Sequence, residues 1–144
     1  MILYAESSAI LAWLLGESTK GLALRELRGA DRVVTSSLTA VECARALARG
    51  RALGKLGTAD ELAALRLLDV AEKSWDVHDL SDSVLSRARS LFPAEPVRTL
   101  DALHLATALI FREALGDLAI LSFDDRIRLN ATALGVPVTP AALR

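Results

Sequence analysis

Cysteine is almost absent: Cys43 stands alone among 144 residues. That excludes an internal disulfide and a cysteine pair for zinc, and leaves Cys43 most simply as a small core side chain. A membrane-length apolar run is also missing, since a span needs about 20 mostly apolar residues. The longest uncharged stretch, residues 129–143, falls short and is broken by Asn130, Pro137 and Pro140. No basic leader precedes the apolar start Met1-Ile2-Leu3-Tyr4-Ala5, which meets Glu6 at once, so the expectation is a cytoplasmic protein without a secretory signal. Charge of one sign is missing too. Seventeen Lys plus Arg against eighteen Asp plus Glu give a formal net charge of −1. Coating of nucleic acid by bulk charge is thereby excluded, and any such contact must be local.

Several motifs are lacking as well. Gly-x-Gly-x-x-Gly does not occur, and residues 50–56 are one residue short of a phosphate loop, have no Ser or Thr after Lys55, and follow a helical pattern, so they read as a connection between helices. The last lysine, Lys73, comes too early for a phospho-acceptor receiver domain. No repeat, linker or low-complexity tract interrupts residues 1–144, whose length suits one domain.

What is present is apolar. Hydrophobic residues make up 52% and the mean hydropathy is +0.35, which, without a membrane segment, predicts a large core and a self-interface. Fourteen of the seventeen basic residues are Arg, the better partner for phosphate, a preference that a general codon bias explains equally well. Short apolar or β-branched runs predict strands over 1–5, 32–35, 74–78, 118–123 and 136–138. Helical spacing and caps predict helices over 9–15, 19–28, from Ser37 or Thr39 to 49, and over 58–72, 82–91, 99–115 and 125–134, with a rigid loop at 92–96. The face of the 99–115 helix is drawn through Leu100, Leu103, Ala106, Thr107 and Ile110. Such alternation predicts an α/β fold with a mostly parallel sheet covered by helices.

Acids recur where strands hand over to helices: Glu6 after the first strand, Glu42 in the helix after the second, Asp101 in the first turn of the 99–115 helix, and Asp124 with Asp125 after the fourth strand. Each has a structural explanation. An acid near a helix start complements the positive end of the helix by up to about 1 kcal/mol, and Glu42 has capping-box spacing from Thr39 and helical spacing to Arg45. Together they are harder to explain that way, because helix starts after parallel strands line one edge of the sheet, where ligands bind. Clustered carboxylates either hold protons or meet a cation, and with no histidine or cysteine cluster that cation is a hard one, Mg²⁺ or Mn²⁺. His104, three residues beyond Asp101, reads as a hydrogen-bonded core residue. Trp13 and Trp75 read as core or interface aromatics.

Tyr4-Ala5-Glu6-Ser7-Ser8-Ala9, then Val41-Glu42, then Thr99-Leu100-Asp101-Ala102-Leu103-His104-Leu105-Ala106-Thr107-Ala108, then Leu121-Ser122-Phe123-Asp124 resemble, in order and spacing, the motifs of the PIN-domain ribonucleases, and the compact length resembles the VapC toxins of bacterial toxin–antitoxin pairs. The resemblance implies a three-layer α/β/α sandwich and a Mg²⁺- or Mn²⁺-dependent endoribonuclease acting on structured RNA such as transfer or ribosomal RNA. It also implies a homodimer and a VapB-type antitoxin as partner. By position, Glu6, Glu42, Asp101 and Asp124 would be the metal-site and catalytic acids, and Ser8 and Ser122 their polar supports. The family usually has Asp where this chain has Glu6, a carboxylate one methylene longer. Arg98, Arg45 and Arg49 lie near enough in sequence to contact RNA phosphates, although solvated or ion-paired arginines are the simpler reading. Two other readings stand beside the ribonuclease: a catalytically weakened PIN-like module acting through dimerisation and antitoxin binding, and another metal-dependent phosphatase or phosphotransferase, since a carboxylate cluster does not name its substrate.

Overall fold

Two apolar tetrapeptides, Ile2-Leu3-Tyr4-Ala5 and Leu118-Ala119-Ile120-Leu121, have apolar residues at every position where a half-exposed strand would alternate with polar ones, which is the pattern of strands covered on both faces. The computed structural model of the protein, which describes residues 1–143, places them side by side in the middle of a parallel sheet. In chain order the elements are β1 (Ile2–Ala5), α1 (Ser7–Leu14), α2 (Lys20–Gly29), β2 (Arg32–Ser36), α3 (Ser37–Ala52), α4 (Thr58–Glu72), β3 (Asp76–His78), α5 (Asp82–Ala88), α6 (Thr99–Leu115), β4 (Leu118–Leu121), α7 (Asp125–Ala133) and β5 (Val138–Thr139). All pairings are parallel, in the order β3-β2-β1-β4-β5.

Successive side chains along a strand point to opposite faces, and here both faces are filled. Tyr4, Val34, Leu118 and Ile120 pack with Ala102, Leu105 and Ala108 of α6 and with Ile127 and Ala131 of α7. The alternate positions Leu3, Ala5, Val33, Ala119 and Leu121 pack with Ala9 and Ile10 of α1, Cys43 of α3 and Leu68 of α4. The result is the expected α/β/α sandwich. Cys43 is a core residue, and burial first, then the charge of Glu42, pushes its thiol up to about 12. Trp13 and Trp75 lean on each other with ring centroids 6.5 Å apart at the rim of the second core.

The helix starts come from the strand ends. Ser36, the last residue of β2, is also the cap of α3, its hydroxyl accepting from the Leu38 N–H at 3.1 Å. The expected caps Ser37 and Thr39 are therefore already inside the helix, because the strand enters it without a loop. Thr39 bonds instead to Thr35 at 2.8 Å, and Thr35 donates to the Ala5 carbonyl at 2.6 Å, tying β2 to β1. α3 runs on to Ala52, past the expected end at 49. α5 stops at Ala88 and leaves Leu91 84% exposed.

The largest departure from the sequence pattern is α6. Leu100, drawn on the apolar face, is exposed, whereas Asp101, Ala102, His104, Leu105, Ala106, Thr107 and Ala108 are all buried. α6 touches α5, α7, β2 and β4, so burial wraps most of its circumference and no single stripe describes it. Past Leu115 the chain turns at Gly116, where φ is +88°, a left-handed value that favours glycine.

Leu105 is 1% exposed at the centre of the first core. Leu105→Ala is expected to lower the unfolding free energy by about 2–5 kcal/mol, while Leu91→Ala should stay within about 0.5 kcal/mol of wild type. Urea denaturation of the two variants checks both.

Candidate functional site

In a parallel sheet every strand ends on the same edge, and the strand order reverses direction between β1 and β4: β2 and β3 lie on one side, β4 and β5 on the other. Ligands bind in α/β folds at such a reversal. Glu6 follows β1 and Ser122 and Asp124 follow β4, so three of the expected residues stand at that point.

Glu6 is 4% exposed and caps α1. Its Oε1 accepts from the Ser7 hydroxyl at 2.7 Å and the Ser8 N–H at 3.1 Å; its Oε2 accepts from the Ser122 hydroxyl at 2.7 Å and also from the Ser8 hydroxyl. Four donors and a helix N-terminus compensate a buried charge that would otherwise be costly. Glu6 thus caps α1 as the shorter Asp124 caps α7. Ser8 and Ser122 serve both junctions: Ser122 Oγ accepts from the Asp124 N–H at 3.1 Å, and Ser8 Oγ from the Phe123 N–H at 2.9 Å.

Asp124 divides its two oxygens. Oδ1 caps α7, accepting from the N–H groups of Arg126 at 2.8 Å and Ile127 at 3.2 Å, and Oδ2 faces Arg98 Nη2 at 3.5 Å. The same guanidinium reaches Asp101 Oδ2 through Nε at 3.0 Å. Arg98 thus bridges two of the four acids. Its pKa is pushed further up by the bond to Asp101, with the charges of Asp124 and Glu42 adding. Asp125 sits in the first turn of α7 and is exposed.

Glu42 makes neither of the contacts its spacing predicts, because Thr39 is turned to Thr35 and no ion pair to Arg45 forms among the described residues. Its Oε1 meets His104 Nε2, and His104 Nδ1 lies 2.8 Å from the Tyr4 hydroxyl. The spacing of His104 from Asp101 put it on the same side of α6, but nothing local in the sequence announced a partner 62 residues away. Burial pushes the His104 pKa down, yet the Glu42 hydrogen bond and the charges of Glu6, Glu42 and Asp101 outweigh it and raise it overall. One imidazole therefore feels three of the four acids. Burial holds the Tyr4 hydroxyl well above its usual range, with Glu6 adding to the shift, so it stays protonated.

Beside these acids lies a depression of about 370 Å³ lined by Glu42, Arg49, Arg98, Thr99, Leu100 and Asp101. Glu42, Arg49 and Leu100 are shared with a neighbouring groove of about 430 Å³ that Arg45 also lines. Among the described residues, no three acid, histidine or cysteine side chains stand close enough to one point to hold an ion as placed. The donor chemistry nevertheless fits a hard divalent cation, since every candidate atom is a carboxylate oxygen. A cationic group already bridges two of the acids, and the Arg98 side chain that supplies it is 61% exposed.

The PIN domain family model matches residues 3–133. Ribonuclease VapC46 of Mycobacterium tuberculosis (strain ATCC 25618 / H37Rv) is 38% identical over 137 residues, covering 94% of this chain and 95% of that protein. Ribonuclease VapC45 of the CDC 1551 / Oshkosh strain is 32% identical over 151 residues, with 99% and 97% covered. Among solved structures, Mycobacterium tuberculosis VapC20, described as a sarcin-ricin loop cleaving toxin, superposes with a TM-score of 0.66 at 18% identity, covering 93% of this chain and 95% of its own. A toxin–antitoxin complex from Klebsiella pneumoniae gives 0.64 at 17%, with 97% and 98% covered.

The Glu6 network generates a stability prediction that needs no metal. Glu6→Gln puts an amide N–H₂ among donors and is expected to cost about 1–3 kcal/mol, measured by urea denaturation in EDTA. A loss of only a few tenths would mean that the four donors find water as readily as they find Glu6.

Proposed function

Because the chain belongs to the PIN-domain family, with the VapC ribonucleases as relatives over nearly its whole length, we propose that it is a metal-dependent endoribonuclease that hydrolyses phosphodiester bonds in structured RNA, transfer or ribosomal, as the toxin of a VapBC-type pair. The observation that carries this reading is the meeting of Glu6, Ser122, Asp124, Arg98 and Asp101 at the reversal between β1 and β4, with Glu42 beside them. Hydroxyls, helix starts and one exposed arginine compensate the acids from within, an arrangement that a dication can take over.

In this reading Glu42, Asp101 and Asp124 would hold Mg²⁺ or Mn²⁺ with Glu6, and a bound ion would supply a water of lowered pKa and neutralise charge on the phosphate. Asp124 is suited to its part because capping occupies one oxygen and leaves the other facing Arg98. Arg98, released from Asp101 and Asp124, turns to a phosphate oxygen of the RNA, and Arg45 meets a second phosphate along the groove. Ser8 and Ser122 keep the Glu6 carboxylate turned to the β4 junction. A side-chain nucleophile is not required.

The partners proposed are a VapB-type antitoxin, in keeping with the toxin–antitoxin complex among the structural relatives, and a second copy of the chain. Leu67 and Val70, three residues apart on α4 and both exposed, leave apolar surface that a homodimer would cover. No helix among the described residues is long and apolar enough to cross a membrane, in keeping with a cytoplasmic site of action. One observation favours a second reading, the catalytically weakened PIN-like module: both Glu6 oxygens are fully committed to four internal donors.

RNA cleavage with Mg²⁺ or Mn²⁺, stopped by EDTA, tests the ribonuclease. Asp101→Asn is expected to reduce it by about 10²-fold or more through loss of a ligand charge, and full activity in pure Asp101→Asn would remove Asp101 from the site. Glu6→Asp separates the two readings. With Asp the shorter carboxylate should release some of the serine contacts and preserve or raise cleavage. A wild type with only trace activity that Glu6→Asp rescues would establish the weakened module.

A further inference from the structure

His104 is buried in the middle of α6 at 1% exposure, yet neither ring nitrogen bonds to backbone. One faces Tyr4, which is fully buried in β1, and the other faces Glu42 on α3. The three side chains span 100 residues of sequence and form a line from the centre of the sheet to its functional edge. Resting on the ribonuclease reading, we propose that His104 is a positioning residue. Held by Tyr4, it anchors Oε1 of Glu42 and so keeps Oε2 as the oxygen available to the proposed metal site.

The hydrogen-bond inventory sets the direction of the chain. A carboxylate only accepts, so the proton lies on His104 Nε2 and is donated to Glu42 Oε1. Nδ1 of the neutral ring then accepts from the Tyr4 O–H, which burial keeps protonated. If the ring gains a second proton, the Tyr4 oxygen accepts from Nδ1–H instead and the bond to Glu42 is unchanged. A donor from Nε2 to Glu42 is therefore present in both charge states of the ring.

The ring itself cannot turn freely. Tyr4 packs edge-on to it at 6.0 Å and 70°, and Phe111 backs Tyr4 at 6.4 Å. Glu42, by contrast, is a long side chain, 21% exposed, on a helix whose expected local partners Thr39 and Arg45 do not hold it. Only the His104 bond restrains it among the described residues. A flexible ligand fixed by a rigid, buried donor is the arrangement by which outer partners set the affinity of a metal site, worth about 10–100-fold in metal binding or activity.

The test uses the full chain with His104→Leu, which removes the donor at similar volume, and His104→Gln, whose amide nitrogen can take the place of Nε2. Calorimetry with Mn²⁺ should show Kd rising about 10-fold or more in His104→Leu, with kcat falling comparably and KM for RNA little changed. His104→Gln should recover most of both. In metal-free wild type, the His104 Nε2–H signal in nitrogen–proton spectra should be protected from exchange, and Glu42→Ala should shift or abolish it. Unchanged Mn²⁺ affinity in His104→Leu, equal defects in the Leu and Gln variants, or a signal indifferent to Glu42→Ala would each overturn the role. Should His104→Leu fail to fold, His104→Gln and the spectra decide: near-wild-type Mn²⁺ affinity with a Glu42-dependent signal supports the role, and their absence overturns it. Wild type that cleaves no RNA removes the ribonuclease reading alone, since Mn²⁺ affinity and the spectra are read without cleavage.

Discussion

Strand β1 is hydrogen-bonded to β2 on one side and β4 on the other and is covered by helices on both faces. It has no freedom left, and the residue after it is delivered to one place. That residue is a carboxylate. Glu6 emerges where water is nearly excluded, and a charge there must be met by donors or abandoned. The serines at the start of α1 and after β4, together with the helix N-terminus itself, supply them. Because Ser8 and Ser122 also bind the backbone of the β4 junction, satisfying Glu6 and joining β1 to β4 are one act.

The remaining acids are compensated by different means, and the differences bear on function. Asp101 and Asp124 share a guanidinium that is largely in solvent, a pairing that contributes little to stability and is easily exchanged for another cation. Glu42 is held by a buried imidazole that cannot leave. The edge thus combines an exchangeable counter-ion with fixed donors. That combination lets the chain fold with its acids kept near one another, as the proposed metal site would require.

The sandwich and its edge were legible in the sequence because their signals are local. Runs buried on both faces mark the parallel strands, helical spacing marks α6 and α7, and a strand that enters a helix without a loop puts its polar residues at the sheet's edge whatever the rest of the chain does. Glu6 and Asp124 could be placed from the sequence for this reason, and so could the PIN-type motifs that carry them. Even so, Glu42 suited a capping box that the structure does not form, and Leu100 suited an apolar face that turned outward.

Both departures have one cause. Sequence spacing shows which residues share a face of a helix but not which element lies against that face, and α6 is enclosed by four elements. The choice of His104 as the partner of Glu42, of Arg98 as a partner of Asp124, and of Ser122 as a donor to Glu6 depends on crossing angles and register across as many as 116 residues of chain. The parallel α/β frame and the edge that carries the acids are properties of the residue pattern alone. The long-range contacts of the acids are properties of the packed molecule, because a side chain chooses its hydrogen-bond partner among groups that come within about 3 Å, and between distant segments that distance is set by packing rather than by spacing along the chain.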